Sequence, residues 1–101
     1  VLQKLGAYRI YRIKANLTLK TEEHEESGFH VDGFDKRNGY PDGSLTAIYY
    51  INTCNGYTKF KKGGKVKSVA NRMVIFNHNM EHAGVSCTDE KRRVVINFNY
   101  E

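Results

Sequence analysis

The sequence predicts an all-β domain, and three observations carry that prediction. Apolar and polar residues alternate along strings rich in aromatic and β-branched side chains, which is the period of a half-buried strand. These strings are short, and clusters of Gly, Asn and Asp separate them and supply the turns. Helix-period patterning is hard to find, and Pro41 is the single proline. Short strands joined by such turns suit a sandwich, a barrel or a jelly roll.

Taken in order, Tyr8-Arg-Ile-Tyr-Arg-Ile-Lys-Ala-Asn-Leu-Thr-Leu19 alternates and predicts a long first strand. Thr21 to Ser27 (TEEHEES) reads as a solvated acidic loop leading to Gly28. Gly33 to Gly43 (GFDKRNGYPDG) is dense in turn formers and predicts a long loop. Leu45 to Ile51 is the next strand, closed by a turn over Asn52 to Gly56. Shorter strands are expected at Tyr57–Phe60, Lys65–Val69 and Met73–Phe76, and Arg93–Tyr100 ends the chain as another. No internal repeat, low-complexity tract or linker interrupts this series. One domain over residues 1–101 is expected, and its opening on Val1 rather than Met suits a fragment or a processed product.

A chain of 101 residues with 40% apolar and 27% charged residues can bury one modest core. That balance excludes a disordered tail or a collagen-like fibre. Apolar runs are only a few residues long, so neither a membrane span nor a secretory signal is expected. The formal net charge of +5 raises the question of nucleic acid. Its densest patch, Lys59 to Lys67 around Gly63-Gly64, reads instead as an exposed hairpin, so nucleic acid is not expected as a partner. Cys54 and Cys87 are too few for a disulfide framework and form no CxxC pair, which favours a reducing, cytoplasmic setting.

The chemistry gathers around histidines. His24 sits in the acidic loop and reads as solvated. In Phe29-His30-Val31-Asp32 an imidazole and a carboxylate stand two residues apart and share one face of an extended chain. Such a pair can grip one metal ion. His82 follows fifty residues later, beyond the apolar string Met73–Phe76, where it could approach the first pair across a rolled sheet. His78 competes for the same role, but the small residues Ala83 and Gly84 after His82 favour the latter. Two histidines and a carboxylate form a facial triad that leaves metal positions open, and ligand types alone do not choose between iron and zinc. Arg92 and Arg93 open the last strand, where an arginine fork suits bidentate capture of a carboxylate.

In this order, His30-x-Asp32, His82 and Arg93 closely resemble the Fe(II)/2-oxoglutarate-dependent dioxygenases of the prolyl-hydroxylase type. Further strings that carry the resemblance are Ala47-Ile-Tyr-Tyr-Ile-Asn52, Arg72-Met-Val-Ile-Phe76 and Arg93-Val-Val-Ile-Asn-Phe98. The likeness runs from Ala7 onward and is strongest to small stand-alone members from bacteria and their viruses. It implies a double-stranded β-helix, a cupin-like jelly roll with few or no helices. It also implies Fe(II), 2-oxoglutarate as small-molecule cosubstrate, O2, and ascorbate as an accessory reductant. His30, Asp32 and His82 would hold the metal. Arg93, favoured over Arg92 by the string Arg-x-x-Ile-x-x-x-Tyr, would bind the distal carboxylate of 2-oxoglutarate. Tyr50, in the strand after the His-x-Asp loop, would help hold that cosubstrate, and Asn16 and then Asn97 rank below it. The implied reaction hydroxylates a protein or peptide side chain, proline by default, or a small molecule, and releases succinate and CO2.

Strand parity bears on the choice of arginine. Arg93, Val95, Asn97 and Asn99 share one face, and Arg92, Val94, Ile96, Phe98 and Tyr100 share the other. The second set looks like the better packing face between two sheets, which would leave the first to line a polar pocket. The 33–43 loop, with Phe34, Asp35, Lys36, Arg37 and Tyr40, is the expected substrate-facing lid. Two alternatives stand beside this reading: a non-catalytic jelly-roll module that binds a ligand or partner, and a zinc hydrolase with Glu81 as its only nearby base.

Overall fold

The computed structural model describes residues 6–7, 9–31, 40–41 and 43–101. Tyr8 at the head of the predicted first strand, Asp32, and all of the predicted lid loop except Tyr40, Pro41 and Gly43 lie outside the described residues. The fold is all-β: seven strands form two antiparallel sheets, and the described residues contain no helix. In chain order the strands are β1 (Ile10–Leu19), β2 (Leu45–Tyr50), β3 (Tyr57–Phe60), β4 (Lys65–Lys67), β5 (Met73–Asn77), β6 (His82–Val85) and β7 (Arg92–Tyr100). The larger sheet runs β1-β7-β2-β5 and the smaller runs β4-β3-β6.

Two elements depart from the sequence reading. β6 was not predicted as a strand, because the tetrapeptide His-Ala-Gly-Val is too short and too poor in bulky residues to carry a period. It forms because β3 pairs along its length, with Thr58 opposite Gly84 and Phe60 opposite His82. The acidic segment before Gly28 is not a free loop either. Its backbone lies along the other edge of β6: Ser86 donates to the Glu25 carbonyl at 3.0 Å and Ser27 donates to the Gly84 carbonyl at 2.9 Å. His30 and His82 then exchange both backbone hydrogen bonds at 3.0 Å. His24 remains on the surface, but its Nδ1 donates to the Ser86 carbonyl at 2.7 Å and its ring meets Tyr57 edge-on. The β3–β4 corner is the expected hairpin, with Gly63 and Gly64 both at positive φ, where a side chain would be strained.

The packing face of β7 is a third correction. Val95, not Phe98 or Tyr100, joins Ile48, Tyr50 and Phe76 in the core between the sheets, against Phe60 and Val66 of the smaller sheet. Phe98 and Tyr100 pack with Ala47 on the opposite face, where Leu45, Tyr49, Met73 and Ile96 shield them. Each face of the larger sheet thus carries an apolar cluster, and hydrophobicity alone cannot say which one meets the other sheet. The outer face still exposes Ile13, Leu17, Leu19 and Ile75, with Leu19 at 67%. Arg93, Val95 and Asn97 face inward and line the space between the sheets.

Tyr40 is 7% exposed, stacks on Tyr11 at 5.3 Å and meets His78 edge-on at 6.4 Å. It is thus a buried anchor, not the exposed lid side chain that the turn-rich sequence around it suggested.

Candidate active site

The antiparallel bridge between His30 and His82 sets the geometry of the site. Backbone pairing fixes the two residues directly opposite each other and brings their rings to 4.6 Å between centroids. Each ring is aligned the same way. His30 Nδ1 donates to the Gly28 carbonyl at 3.1 Å, and His82 Nδ1 donates to the Met80 carbonyl at 3.0 Å. A carbonyl oxygen can only accept, so Nδ1 of each ring carries a proton and Nε2 is the nitrogen left to ligate a metal. That is how ligating histidines are oriented around a metal. Phe76 and Phe60 hold the His82 ring from the core side, at 4.8 and 6.5 Å, and His82 is 3% exposed. His30 stands on the solvent side of the pair. These two residues fit a metal held by imidazole nitrogens. Asp32, the third expected ligand, lies outside the described residues, and no group of three His, Cys, Asp or Glu side chains placed to hold a metal occurs among the described ones.

Both rings open into a cavity of about 520 Å³ between the sheets. Asn16, Thr58, Arg93 and Asn97 also line it. Arg93 is 5% exposed, although it carries a permanent charge. Its Nε donates to Ser68 Oγ at 2.9 Å and its Nη2 donates to Thr58 Oγ1 at 3.2 Å. Burial pushes its pKa down, and the groups that offset this are Tyr50, Cys54 and Cys87; no carboxylate pairs with it among the described residues. A buried cation without a counter-charge is costly, so this side chain is set for an anion. Arg92 differs. It is exposed, and its side chain leaves β7 on the opposite face, so the structure separates the two arginines as strand parity required.

Gly56 creates the berth for Arg93. A β-carbon at position 56 would stand 2.7 Å from Arg93 Cδ and 2.7 Å from the Val85 carbonyl oxygen. Gly56→Ala should therefore displace the arginine stem and destabilise the fold by about 1–3 kcal/mol, as overpacking does. Thermal unfolding together with 2-oxoglutarate binding would check both effects.

Tyr50 does not line the cavity. It is 0% exposed beneath Arg93, whose guanidinium carbon lies 5.8 Å from the ring centroid, and its hydroxyl is 2.7 Å from Thr58 Oγ1. Burial raises its pKa, so the phenol stays protonated. Behind it, Asn55 ties the 52–56 turn to Thr88 and Asp89, and the Cys87 thiol is pushed up by burial and by Cys54 beside it. High-pKa, buried thiols of this kind are chemically quiet. His78 lies against Tyr40 and does not line the cavity.

Thr58 and Ser68, which hold Arg93, escaped the sequence reading. The signal for Thr58 was its place between Tyr57 and Lys59 in an alternating strand, which turns a small hydroxyl inward.

A family model described as the 2OG-Fe(II) oxygenase superfamily matches residues 16–101. The chain belongs to the 2OG-Fe(II) oxygenase superfamily. No curated relative matches it. Among solved structures it is similar to a cupin protein from Bacteroides fragilis, with a TM-score of 0.64 and 8% identity, covering 100% of this chain and 73% of that one. A Neisseria meningitidis protein matches with a TM-score of 0.53 and 13% identity, over 94% of this chain and 82% of that one. An RmlC-like cupin from Desulfovibrio desulfuricans matches at 0.52 and 13% identity, over 88% and 82%. At these identities the structural matches show a cupin-like fold and nothing finer. In this 2OG-Fe(II) oxygenase superfamily member, the paired histidines and Arg93 line one cavity between the two sheets.

Proposed function

We propose that the protein is an Fe(II)- and 2-oxoglutarate-dependent oxygenase that hydroxylates its substrate and releases succinate and CO2. The observation that carries this reading is Arg93, a buried cation with no carboxylate partner among the described residues, at one wall of the cavity that His30 and His82 share. Superfamily membership supports it independently.

His30 and His82 bind the metal through Nε2, each oriented by a backbone carbonyl. Asp32 supplies the third ligand by its place in the His-x-Asp string. Bound iron supplies the activation of O2 that is coupled to oxidative decarboxylation of 2-oxoglutarate. Arg93 takes the distal carboxylate with the N–H groups it does not spend on Ser68 and Thr58. The position added by a β-carbon on Gly84, two residues beyond His82 on β6, would lie 3.5 Å from Arg93 Nη1. Two residues of strand are about 7 Å, within reach of a five-carbon dicarboxylate that also chelates the metal. Tyr50 acts through its neighbours as a positioning residue. By donating to Thr58 Oγ1 it would fix that hydroxyl under the Arg93 fork and leave the threonine proton for the carboxylate. Asn16 faces the same cavity and offers an amide to the cosubstrate or substrate. A peptide or protein side chain, proline by default, is the substrate this reading takes from the resemblance; a small molecule is the variant.

Succinate production from 2-oxoglutarate should require Fe(II) and vanish when zinc replaces it. Equal hydrolytic activity with zinc and no succinate would overturn the proposal. Tyr50→Phe should lose the Thr58 hydrogen bond, about 0.5–1.5 kcal/mol, and raise the KM for 2-oxoglutarate while leaving metal affinity unchanged.

A further inference from the structure

A second, smaller cavity of about 220 Å³ opens beside His30. It is lined by Arg12, Lys14 and Asn16 from β1, Asn97 and Asn99 from β7, and the His30–Val31 segment. The register explains how these residues meet. Arg12 pairs with Asn99, Lys14 with Asn97, and Asn16 with Val95, so cations and amides face each other across two neighbouring strands on the inward side. Arg12 and Lys14 share that face by the ordinary period of a strand, and the bulge between Ile10 and Arg12 puts Ile10 opposite Tyr100 on the other face. Among the described residues neither cation forms an ion pair, and no carboxylate lines this cavity. Asn97 Oδ1 is buried there with no hydrogen-bond partner among the described residues. A buried polar atom of this kind calls for a donor that no described residue supplies.

Lys14, Asn16, Asn97 and His30 line both cavities, whereas Arg12 and Asn99 line the smaller one and Arg93 the larger one. Along β7 four residues separate Arg93 from Asn97 and six separate it from Asn99, about 13 and 20 Å of strand. The backbone at Arg93 and at Asn99 is thus farther apart than the span of 2-oxoglutarate, and the two cavities meet at Lys14, Asn16, His30 and Asn97, which line both. Arg93 and Arg12 are therefore the cations that each cavity does not share with the other, and Lys14 stands where the two meet.

We propose that Arg12 and Lys14 bind an oxyanion of the substrate, a carboxylate or a phosphate, and that Asn97 receives an N–H or O–H next to that group. The substrate is thus an anionic molecule held on the His30 side of the metal, away from Arg93. This assignment rests on the oxygenase reading for the word substrate, but the anion site itself does not.

The test uses ¹⁵N-labelled protein holding zinc and 2-oxoglutarate, titrated separately with inorganic phosphate and with acetate. Either anion should shift the Asn97 side-chain amide resonance, and the anion with the stronger effect identifies the source chemistry. Arg12→Gln combined with Lys14→Gln should weaken that binding by about tenfold or more. The double variant should keep 2-oxoglutarate affinity, which shows that it is folded and that the Arg93 side is intact. No shift at Asn97 with either anion, or equal binding by wild type and the double variant, would overturn the proposal. In parallel, succinate release is screened over matched anionic and neutral compounds: amino acids against their amides, nucleotides against nucleosides. Stimulation by the anionic members alone supports the assignment, and equal stimulation by neutral members contradicts it. Absence of succinate under every condition would instead sink the oxygenase reading and leave the anion titration to decide the site.

Discussion

Replacing His82 by alanine should abolish metal binding and destabilise the fold, whereas replacing His30 should abolish metal binding alone. The difference follows from where the two rings sit. Both donate Nδ1 to a backbone carbonyl and both present Nε2 as a ligand, so either loss removes one of the imidazoles and should weaken Fe(II) binding by more than about a hundredfold. But His82 is 3% exposed and packed on Phe76 and Phe60, while His30 stands on the solvent side. Deleting a buried ring of that size leaves a void that costs about 3–5 kcal/mol, a large share of the stability of a small domain. Thermal unfolding of both variants without metal, beside metal titrations, would separate the two effects. Equal destabilisation would mean that His82 is not the packed member of the pair.

Arg93→Ala should cost at least about a hundredfold in 2-oxoglutarate affinity, because two charge-assisted hydrogen bonds to a desolvated carboxylate are removed together. The effect on the ligand-free protein should be small or even stabilising. Arg93 has no carboxylate partner among the described residues, so its removal relieves an uncompensated buried charge and leaves only the Ser68 and Thr58 hydroxyls without their donor. In the wild type, 2-oxoglutarate supplies the missing charge and should raise the unfolding temperature by mass action; in Arg93→Ala that rise should disappear. Arg93→Lys should recover only part of the affinity, since an ammonium cannot form the paired hydrogen bonds of a guanidinium. Arg92→Ala, on the exposed face of β7, should leave both readings unchanged. If Arg92→Ala and Arg93→Ala weaken binding equally, the face assigned to β7 is wrong.

These two predictions also mark what the sequence made legible. The order His30-x-Asp32, His82, Arg93 picked out three residues, His30, His82 and Arg93, that the fold brings to one cavity, because ligand chemistry restricts residue type far more tightly than packing does. Parity along β7 separated Arg93 from Arg92, since a period of two is a local property of the backbone. The same parity misplaced the core. Val95 alone represents β7 in the core between the sheets, while Phe98 and Tyr100 pack on the outer face, because a second apolar cluster with Ala47 covers that face. β6 was illegible for a related reason: His82–Val85 becomes a strand only through its neighbours, β3 on one edge and the 25–30 backbone on the other. The supports of Arg93 were hidden as well. Gly56, Thr58 and Ser68 are ordinary residues until long-range pairing brings them beneath one guanidinium. Tyr50 was singled out as a ligand contact, and the structure seats it one layer deeper, touching Thr58.

The central claim is that the paired histidines and Arg93 together hold iron and a 2-oxo dicarboxylate in one cavity. An anaerobic titration of the protein with Fe(II) and then 2-oxoglutarate, followed by visible absorption, addresses it most directly. The account predicts a weak metal-to-ligand charge-transfer band that appears only when both are present, and that requires His30, His82 and Arg93. Absence of the band in protein that binds zinc at the same histidines would contradict it.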